Sequence, residues 1–434
     1  MLLSFEVENF GSFRDRAHLD LLLAANAEAP HRIAAFDAKV AAVAMIYGAN
    51  ASGKTTLLDA LMSLRTAVVH SHRSWDPTGG TNTKPFALRQ EPHRTPTRWR
   101  VRFSTGTDPH SEEYDYEVLM NTQVVLHETL RVRSVTTRRF RRIFTRQELD
   151  VASSSTATRA LASRLRPNAL MLSLAAQENQ AEALATYTWF KDRIVGAKDL
   201  SSPTMHDYLL RDLVAHDMPD LSTLARMADL GILEVRGRPW SEAHRHELHE
   251  MGRRLADALG DLVPGIGSDP MIRGDFESLD FVHSGSNGAS FTLPRDSESS
   301  GTIAFLAAGR VAQQALATGD VVLFDELDGS LHPTLVEQLV ELFRSPETNP
   351  LGAQLIASTH DTHLFGRSAL LPLSKYEVWF TEKDSQGASE LYSLADFGDV
   401  RRGVNQEHRY LAGAFGAQPS PRLSLAMDVR ERTG

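Results

Sequence analysis

The chain has 434 residues, 42% hydrophobic and 23% charged, with no cysteine and a formal charge of −9. That balance is ordinary for a globular protein with a sizeable core, and the missing cysteines exclude disulfides, thiolate metal sites and a cysteine nucleophile. The negative charge gives no global attraction to nucleic acid. No apolar run approaches the roughly 20 residues that span a bilayer, and the opening stretch carries acid where a secretory leader carries positive charge. A cytoplasmic protein without membrane insertion is expected.

In chain order, residues 3–10 alternate apolar and polar side chains, the pattern of a half-buried strand, and residues 19–23 read as a second. Residues 40–47 form a continuous apolar run that ends in glycine, as a buried parallel strand does. A helix is expected from Lys54, with Leu57, Leu58, Leu61 and Leu64 on one face. Four β segments follow, at 99–103, 113–120, 124–132 and 140–144, expected as hairpins attached to the first lobe. A strand is also expected at 170–174. The rest of 151–260 reads as helical, Ala/Leu-rich and punctuated by Pro203, Pro219 and Pro239, without the sustained heptads of a coiled-coil arm. Strands return at 279–283 and 289–293 around the turn Ser286-Asn287-Gly288. A helix from Thr302, a strand at 321–324, a helix from Pro333 and a strand at 354–358 complete the pattern. Such alternation implies an α/β fold with a mostly parallel sheet.

Gly48-Ala49-Asn50-Ala51-Ser52-Gly53-Lys54-Thr55 matches the phosphate-loop pattern G-x-x-x-x-G-K-[ST] between an expected strand and an expected helix. Its glycines let backbone N–H groups wrap a triphosphate at a helix N-terminus. Lys54 suits the β- and γ-phosphates, and the Thr55 hydroxyl suits magnesium. Thr56 completes the set of nucleotide-binding candidates. The apolar run 321–324 ends in Asp325 and Glu326. Asp325 is placed to hold magnesium, and Glu326 to polarise the attacking water as general base. Another buried run, 355–358, leads through Thr359 to His360, whose imidazole suits a γ-phosphate contact. Ser297-Glu298-Ser299-Ser300-Gly301-Thr302 opens a helix with small residues whose exposed N–H groups suit an anion. The same residues equally suit an ordinary helix cap.

The order of these motifs is that of ABC-type ATPases. More narrowly, the chain resembles the ABC-like ATPases of prokaryotic anti-phage and abortive-infection systems, the group of RloA and the AriA subunit of PARIS, related to SMC/RecF-like ATPases. The resemblance is carried by LLSFEVENFGSFRD (2–15), SESSGT (297–302) and LFDELDGSLHPTL (323–335), with LMLSLAAQENQ (170–180) and VNQEHRYLAGAFGAQP (404–419) as less specific segments. It implies a two-lobed P-loop ATPase with an attached β-hairpin region and a compact helical insertion. The corresponding divisions are 1–177, 178–265, 266–380 and a C-terminal extension at 381–434.

The resemblance further implies two chains sandwiching two Mg·ATP head to tail. Ser299, Ser300 and Gly301 of one chain would cover the nucleotide held by the other, with Asp328 at the dimer interface. It implies a Q-loop glutamine that also serves magnesium, for which Gln177 is the candidate and Gln180 the competitor. It implies a separate effector such as a Toprim-type nuclease, released or held according to ATP state, with a nucleic acid or a phage protein as trigger. Relatives often carry a basic residue where this chain has Gly11, which leaves Arg14 as an alternative nucleotide contact. A DNA-repair ATPase of the RecF or SMC-like kind, binding duplex DNA directly, is the second reading. A transporter subunit is disfavoured by SESSGT in place of LSGGQ.

Two weaker signals stand apart. Arg131, Arg133, Arg138, Arg139, Arg141, Arg142 and Arg146 fall in one stretch without an acid, which suits either phosphate contacts or the solvated face of a hairpin. His244, His246 and His249 lie near Glu247 and Glu250, but their spacing departs from H-E-x-x-H.

Overall fold

The computed structural model describes residues 1–24, 27, 31–92, 94–197, 218–239, 241, 242, 250, 276–329, 331–398, 400 and 404–419. The chain divides into two compact units. The first comprises Met1–Gly196, Ala315–Asp325 and Val340–Gly434, and the second Ala197–Gln314 and Glu326–Leu339. These bounds run differently from the divisions expected at 177, 265 and 380. In particular, the expected C-terminal extension begins inside the strand Val378–Lys383.

The first unit is organised by a six-stranded sheet in the spatial order Ile194–Ala197, Val321–Phe324, Gln354–Ser358, Val43–Tyr47, Val378–Lys383, Ser389–Ser393. The four strands from Val321–Phe324 to Val378–Lys383 run parallel to one another, and Ser389–Ser393 closes the edge antiparallel. Every residue of Val43–Tyr47, Val321–Phe324 and Gln354–Ser358 is buried. This explains their unbroken apolar runs, because a parallel strand is covered on both faces. Phe324 pairs with Ala357, and Ser358 with Ile46. The carboxyl ends of these strands therefore finish at one edge, where open α/β sheets bind ligands.

A seven-stranded antiparallel meander forms the second layer, in the order Asp150–Ser153, Phe140–Gln147, Val125–Arg133, Glu113–Met120, Thr97–Ser104, Leu2–Glu8, Ala17–Asp20. Its alternate residues Trp99, Val101, Phe103, Tyr116 and Val118 are fully buried. Burial of side chains this size stabilises by about 1.5–3 kcal/mol each. Phe103 stacks on Trp189 at 4.0 Å, and the Trp99 indole donates to Ala60 O of the helix Lys54–His70 at 3.1 Å. The opposite face is an ion-pair ladder: Arg98 to Glu117 and Glu6, Arg100 to Asp115, Arg102 and Arg133 to Glu113, and Arg131 to Asp115.

Residues 170–174 are not the expected strand; Met171–Gln177 is a helix. The run is rich in Leu, Met and Ala, good helix formers, and a short apolar run does not reveal its period. A long-range contact decides it. The buried Glu128 carboxylate accepts the N–H groups of Met171 at 2.6 Å and Leu172 at 2.8 Å, satisfying the first turn. Glu128 also accepts the Tyr116 hydroxyl at 2.9 Å and pairs with the fully buried Arg146. Arg146 donates to the carbonyls of Glu148, Arg166, Pro167 and Ala169. Burial pushes the Glu128 carboxyl up and the Arg146 guanidinium down, each partly offset by the other.

The second unit contains a three-stranded antiparallel sheet, Ile232–Pro239, Phe276–Ser284 and Ser290–Pro294. Residues 232–239 were expected to be helical. They instead pair with a strand some forty residues later, and the helix Met218–Met227 packs on them, with Val235 N–H donating to Ser222 Oγ at 2.9 Å. The helix Ser300–Thr318 begins in this unit, and Gly309 lies against Leu224. Among the described residues no helix is long and apolar enough to cross a membrane, and no group of three or more His, Asp or Glu could hold a metal ion. The histidines at 244, 246 and 249 lie outside the described residues.

Candidate active site

The buried strand Val43–Tyr47 delivers the chain into the phosphate loop, and the 17-residue helix Lys54–His70 carries it away. Asn50 and Ala51 form an exposed crest, with Ala51 at φ +62°. Ser52 folds its N–H back to Ala49 O at 3.2 Å. Gly53, the residue before the helix, has φ +120°, and a Cβ there would lie 2.6 Å from Ser389 Oγ. Only glycine satisfies both constraints. Lys54 is buried, and its ammonium donates to Gly48 O at 3.0 Å and Ala49 O at 3.3 Å, lying across the loop. Thr55 is exposed on the first turn, while Thr56 is half-buried, 3.4 Å from Ser12 Oγ. Left-handed backbone at Ala51, the helix N-terminus and a cation lying over the loop fit a phosphate anion.

Asp325 stands at the end of Val321–Phe324, two strands from the loop strand. Its Oδ1 accepts the Ser358 hydroxyl at 2.6 Å, so the neighbouring strand fixes the carboxylate. A hard oxygen donor of this kind, with the exposed Thr55 hydroxyl, fits magnesium. His360 is exposed, and it follows the buried Thr359, whose N–H donates to Ile46 O at 3.1 Å. Thus the P-loop, Asp325 and His360 all leave one edge of one sheet. Gln177 is exposed and ends the helix Met171–Gln177. Gln180 is engaged locally, with Oε1 accepting the Thr158 hydroxyl at 3.4 Å and Nε2 donating to Glu178 O at 3.3 Å.

Glu326, Asp328, Ser299, Ser300 and Gly301 belong to the second unit. Glu326 is exposed and has φ +52°, a left-handed conformation that costs a side-chain-bearing residue of order 1–3 kcal/mol. Its carbonyl accepts the Gly329 N–H at 2.8 Å, and the carbonyl of half-buried Asp328 accepts the Leu331 N–H at 3.2 Å, so a tight turn follows the acid pair. Ser299 caps its helix, accepting the Thr302 N–H at 3.0 Å, while Ser300 remains exposed and Gly301 half-buried. Just before the cap, Glu298 meets His283 Nε2 at 2.6 Å, tying this segment to the strand Phe276–Ser284.

Two supporting hydroxyls, those of Thr381 and Ser389, escaped sequence reasoning. Thr381 Oγ1 lies 2.6 Å from Ser52 Oγ, and Ser389 donates to Ser12 Oγ at 2.8 Å beside Gly53. They come from strands more than 300 residues after the loop, so no local spacing could have found them. Gly11 packs on Thr56, where a Cβ would lie 2.4 Å from Cγ2; no side chain fits at that position. Arg14 donates to Gln386 Oε1, and its hydrogen-bonded pairing with Asp15 first, and with Asp384, raises its guanidinium above the ordinary range.

In the arginine stretch, Arg131, Arg133, Arg141 and Arg146 are bound to Asp115, Glu113, Glu182 and Glu128. Arg138, Arg139 and Arg142 are exposed at or near the hairpin tip.

The family model described as "AAA domain, putative AbiEii toxin, Type IV TA system" matches residues 43–366, from the loop strand past His360. Two solved structures are similar to the chain. One is the "Crystal structure of the SmcHead bound to the C-winged helix domain of ScpA", at 14% identity and a TM-score of 0.38, covering 90% of this chain and 97% of that one. The other is an Smc head domain with an extended coiled coil bound to the C-terminal domain of ScpA, derived from Pyrococcus furiosus. It has 11% identity and a TM-score of 0.36, covering 95% of this chain and 98% of that one. No curated protein matches.

Proposed function

The chain belongs to this AAA-domain family, and we propose that it is an ATP-hydrolysing switch of an anti-phage defence system, working as a head-to-tail ATP-sandwich dimer or larger assembly. The observation that carries the ATPase reading is the P-loop with its buried Lys54 on the same sheet edge as the Ser358-held Asp325. ATP would lay its phosphates against the N–H groups of Gly48, Asn50, Ala51, Ser52 and Gly53, with Thr55 and Thr56 at the helix start. The Lys54 ammonium would exchange two carbonyls for the β- and γ-phosphate oxygens, an electrostatic gain in a buried setting.

Thr55, Asp325 and Gln177 would hold magnesium, which when bound neutralises charge on the phosphates. Glu326 would accept hydrogen bonding from the attacking water and draw off its proton, and His360 would contact the γ-phosphate. Ser299, Ser300 and Gly301 of a second chain would close the site, with Asp328 at the shared interface. The free N–H groups of that helix start suit a γ-phosphate. Opening of the dimer after phosphate loss would change how a separate effector, such as a Toprim-type nuclease, is held. A nucleic acid or a phage protein would serve as trigger.

The second reading, a RecF/SMC-like ATPase acting on duplex DNA, draws on Arg138, Arg139 and Arg142 alone, because the other arginines of that stretch are committed to acids. DNA-stimulated turnover that falls steeply with salt would favour it. The test of the main reading is ATP turnover with solution mass, on the wild type and on Glu326→Gln. A variant that is inactive yet gathers as an ATP-bound dimer or larger assembly supports the sandwich. Normal turnover by the variant would overturn it.

A further inference from the structure

The hairpin of Val378–Lys383 and Ser389–Ser393 presents two different faces. Thr381 and Ser389 sit on the face that braces the phosphate loop. Side chains alternate along a strand, so Glu382 and Glu390, one residue further on each, point the opposite way. There they are direct cross-strand partners, an arrangement of like charges that is destabilising unless a cation answers it.

Around them lies a solvent-open cavity of about 480 Å³, lined also by Asp396 and by the rings of Tyr392, Phe397 and Phe415. Phe397 meets Tyr392 at 6.0 Å and Phe415 at 5.0 Å, edge to face in both cases. Glu382 accepts the Tyr392 hydroxyl at 3.0 Å and Asp396 accepts the Ser393 N–H at 2.8 Å. Among the described residues none of the three exposed carboxylates enters an ion pair. The same aromatic group already handles a guanidinium: Arg409 lies 4.8 Å from the Phe415 ring centre.

We propose that this cavity is a docking site for an arginine-bearing segment of a partner protein, and that its occupation is transmitted to the phosphate loop through the shared hairpin. The chemistry selects arginine. A guanidinium stacks on aromatic rings while its fork of donors satisfies two carboxylates at once, whereas a lysine ammonium offers a point charge with no plane to stack. A bound guanidinium would also relieve the repulsion between Glu382 and Glu390. Any shift of the hairpin that improves this fit moves Thr381 and Ser389 as well, because they are the adjacent residues of the same strands. The coupling half of the proposal rests on the nucleotide reading above; the docking half does not.

The experiment uses the full chain and a fluorescein-labelled peptide, Gly-Arg-Gly-Arg-Gly, followed by anisotropy at physiological salt. Matched peptides carry lysine or citrulline in place of arginine. The expected result is that the arginine peptide binds, lysine binds at least about threefold more weakly and citrulline does not bind. Glu390→Gln and Phe397→Ala should each weaken the arginine peptide by about fivefold, the loss of one charged or cation–π contact.

Equal affinity for the arginine and lysine peptides, or unchanged binding to both variants, would reduce the site to surface charge and overturn the proposal. Glu390→Gln removes a repulsion, so a folding defect does not confound it. For the coupling, ATP affinity is measured with and without saturating peptide, and a change of about threefold or more is expected, reciprocal in peptide affinity. Normal ATP binding that ignores the peptide overturns the coupling alone. Failure of the wild type to bind ATP overturns the nucleotide reading and leaves docking to be judged on the anisotropy.

Discussion

Replacing Arg146 by methionine should loosen the helix that ends in Gln177, although Arg146 itself contacts none of the residues proposed to bind nucleotide. Arg146 and Glu128 are both fully buried, and the guanidinium also serves four carbonyls around residues 148–169. Removing one partner of such a pair costs about 3–5 kcal/mol, because the other charge is left uncompensated. That cost falls on the carboxylate holding the N–H groups of Met171 and Leu172. Hydrogen exchange of residues 171–177 should therefore accelerate by roughly two to three and a half orders of magnitude, at tenfold per 1.4 kcal/mol.

The pH dependence has a definite sign. Burial raises the Glu128 carboxyl in the folded chain, and the variant loses the arginine that pulls it down. A carboxyl raised on folding contributes stability that is complete below its unfolded pKa and lost as pH rises through the folded one. The penalty should thus be largest at neutral pH and shrink on acidification. Adding Glu128→Gln should restore part of the protection at neutral pH. Exchange that changes less than about tenfold, or a penalty that grows on acidification, would refute the idea that this pair holds the helix.

Glu326→Gly should abolish turnover while stabilising the chain by about 1 kcal/mol, since the residue sits at φ +52°; thermal unfolding and phosphate release measured together check both halves. Ser358→Ala removes the 2.6 Å bond to Asp325 and should raise the magnesium concentration for half-maximal activity several-fold, with little effect on ATP binding in chelator. Gly53→Ala forces a Cβ to within 2.6 Å of Ser389 Oγ, so ATP affinity should fall by at least about a hundredfold, a cost near 3 kcal/mol; calorimetry giving wild-type affinity would show that the loop is built otherwise.

Sequence legibility followed the reach of the deciding contact. The run 40–47 and the run before Asp325 declared themselves because a strand covered on both faces must be apolar throughout, and the loop pattern between strand and helix is local. Residues 170–174 misled because the choice of helix is made by Glu128, more than forty residues away. Residues 232–239 misled because their partner strand begins at Phe276. Arg146 looked like part of a basic surface and is wholly buried, since composition alone does not say which side of a strand meets the core. Thr381 and Ser389 were invisible for the plainest reason: a hydroxyl becomes a brace only when the fold brings it to the loop.

The placement of the loop strand has a consequence for the order in which a growing chain can mature. Val43–Tyr47 lies between Gln354–Ser358 and Val378–Lys383, so neither neighbour exists until most of the polypeptide has been made. From Tyr47 to Lys383 the ribosome must add 336 residues, roughly a quarter of a minute to a minute at ordinary synthesis speeds. The antiparallel meander can assemble early from its own first 153 residues, but the strand that ends in the phosphate loop waits with two unpaired edges. Such edges invite foreign strands. Nascent chains of this protein are therefore expected to need protection until late in synthesis, and a chain that stops short of residue 378 would be born unable to hold a nucleotide.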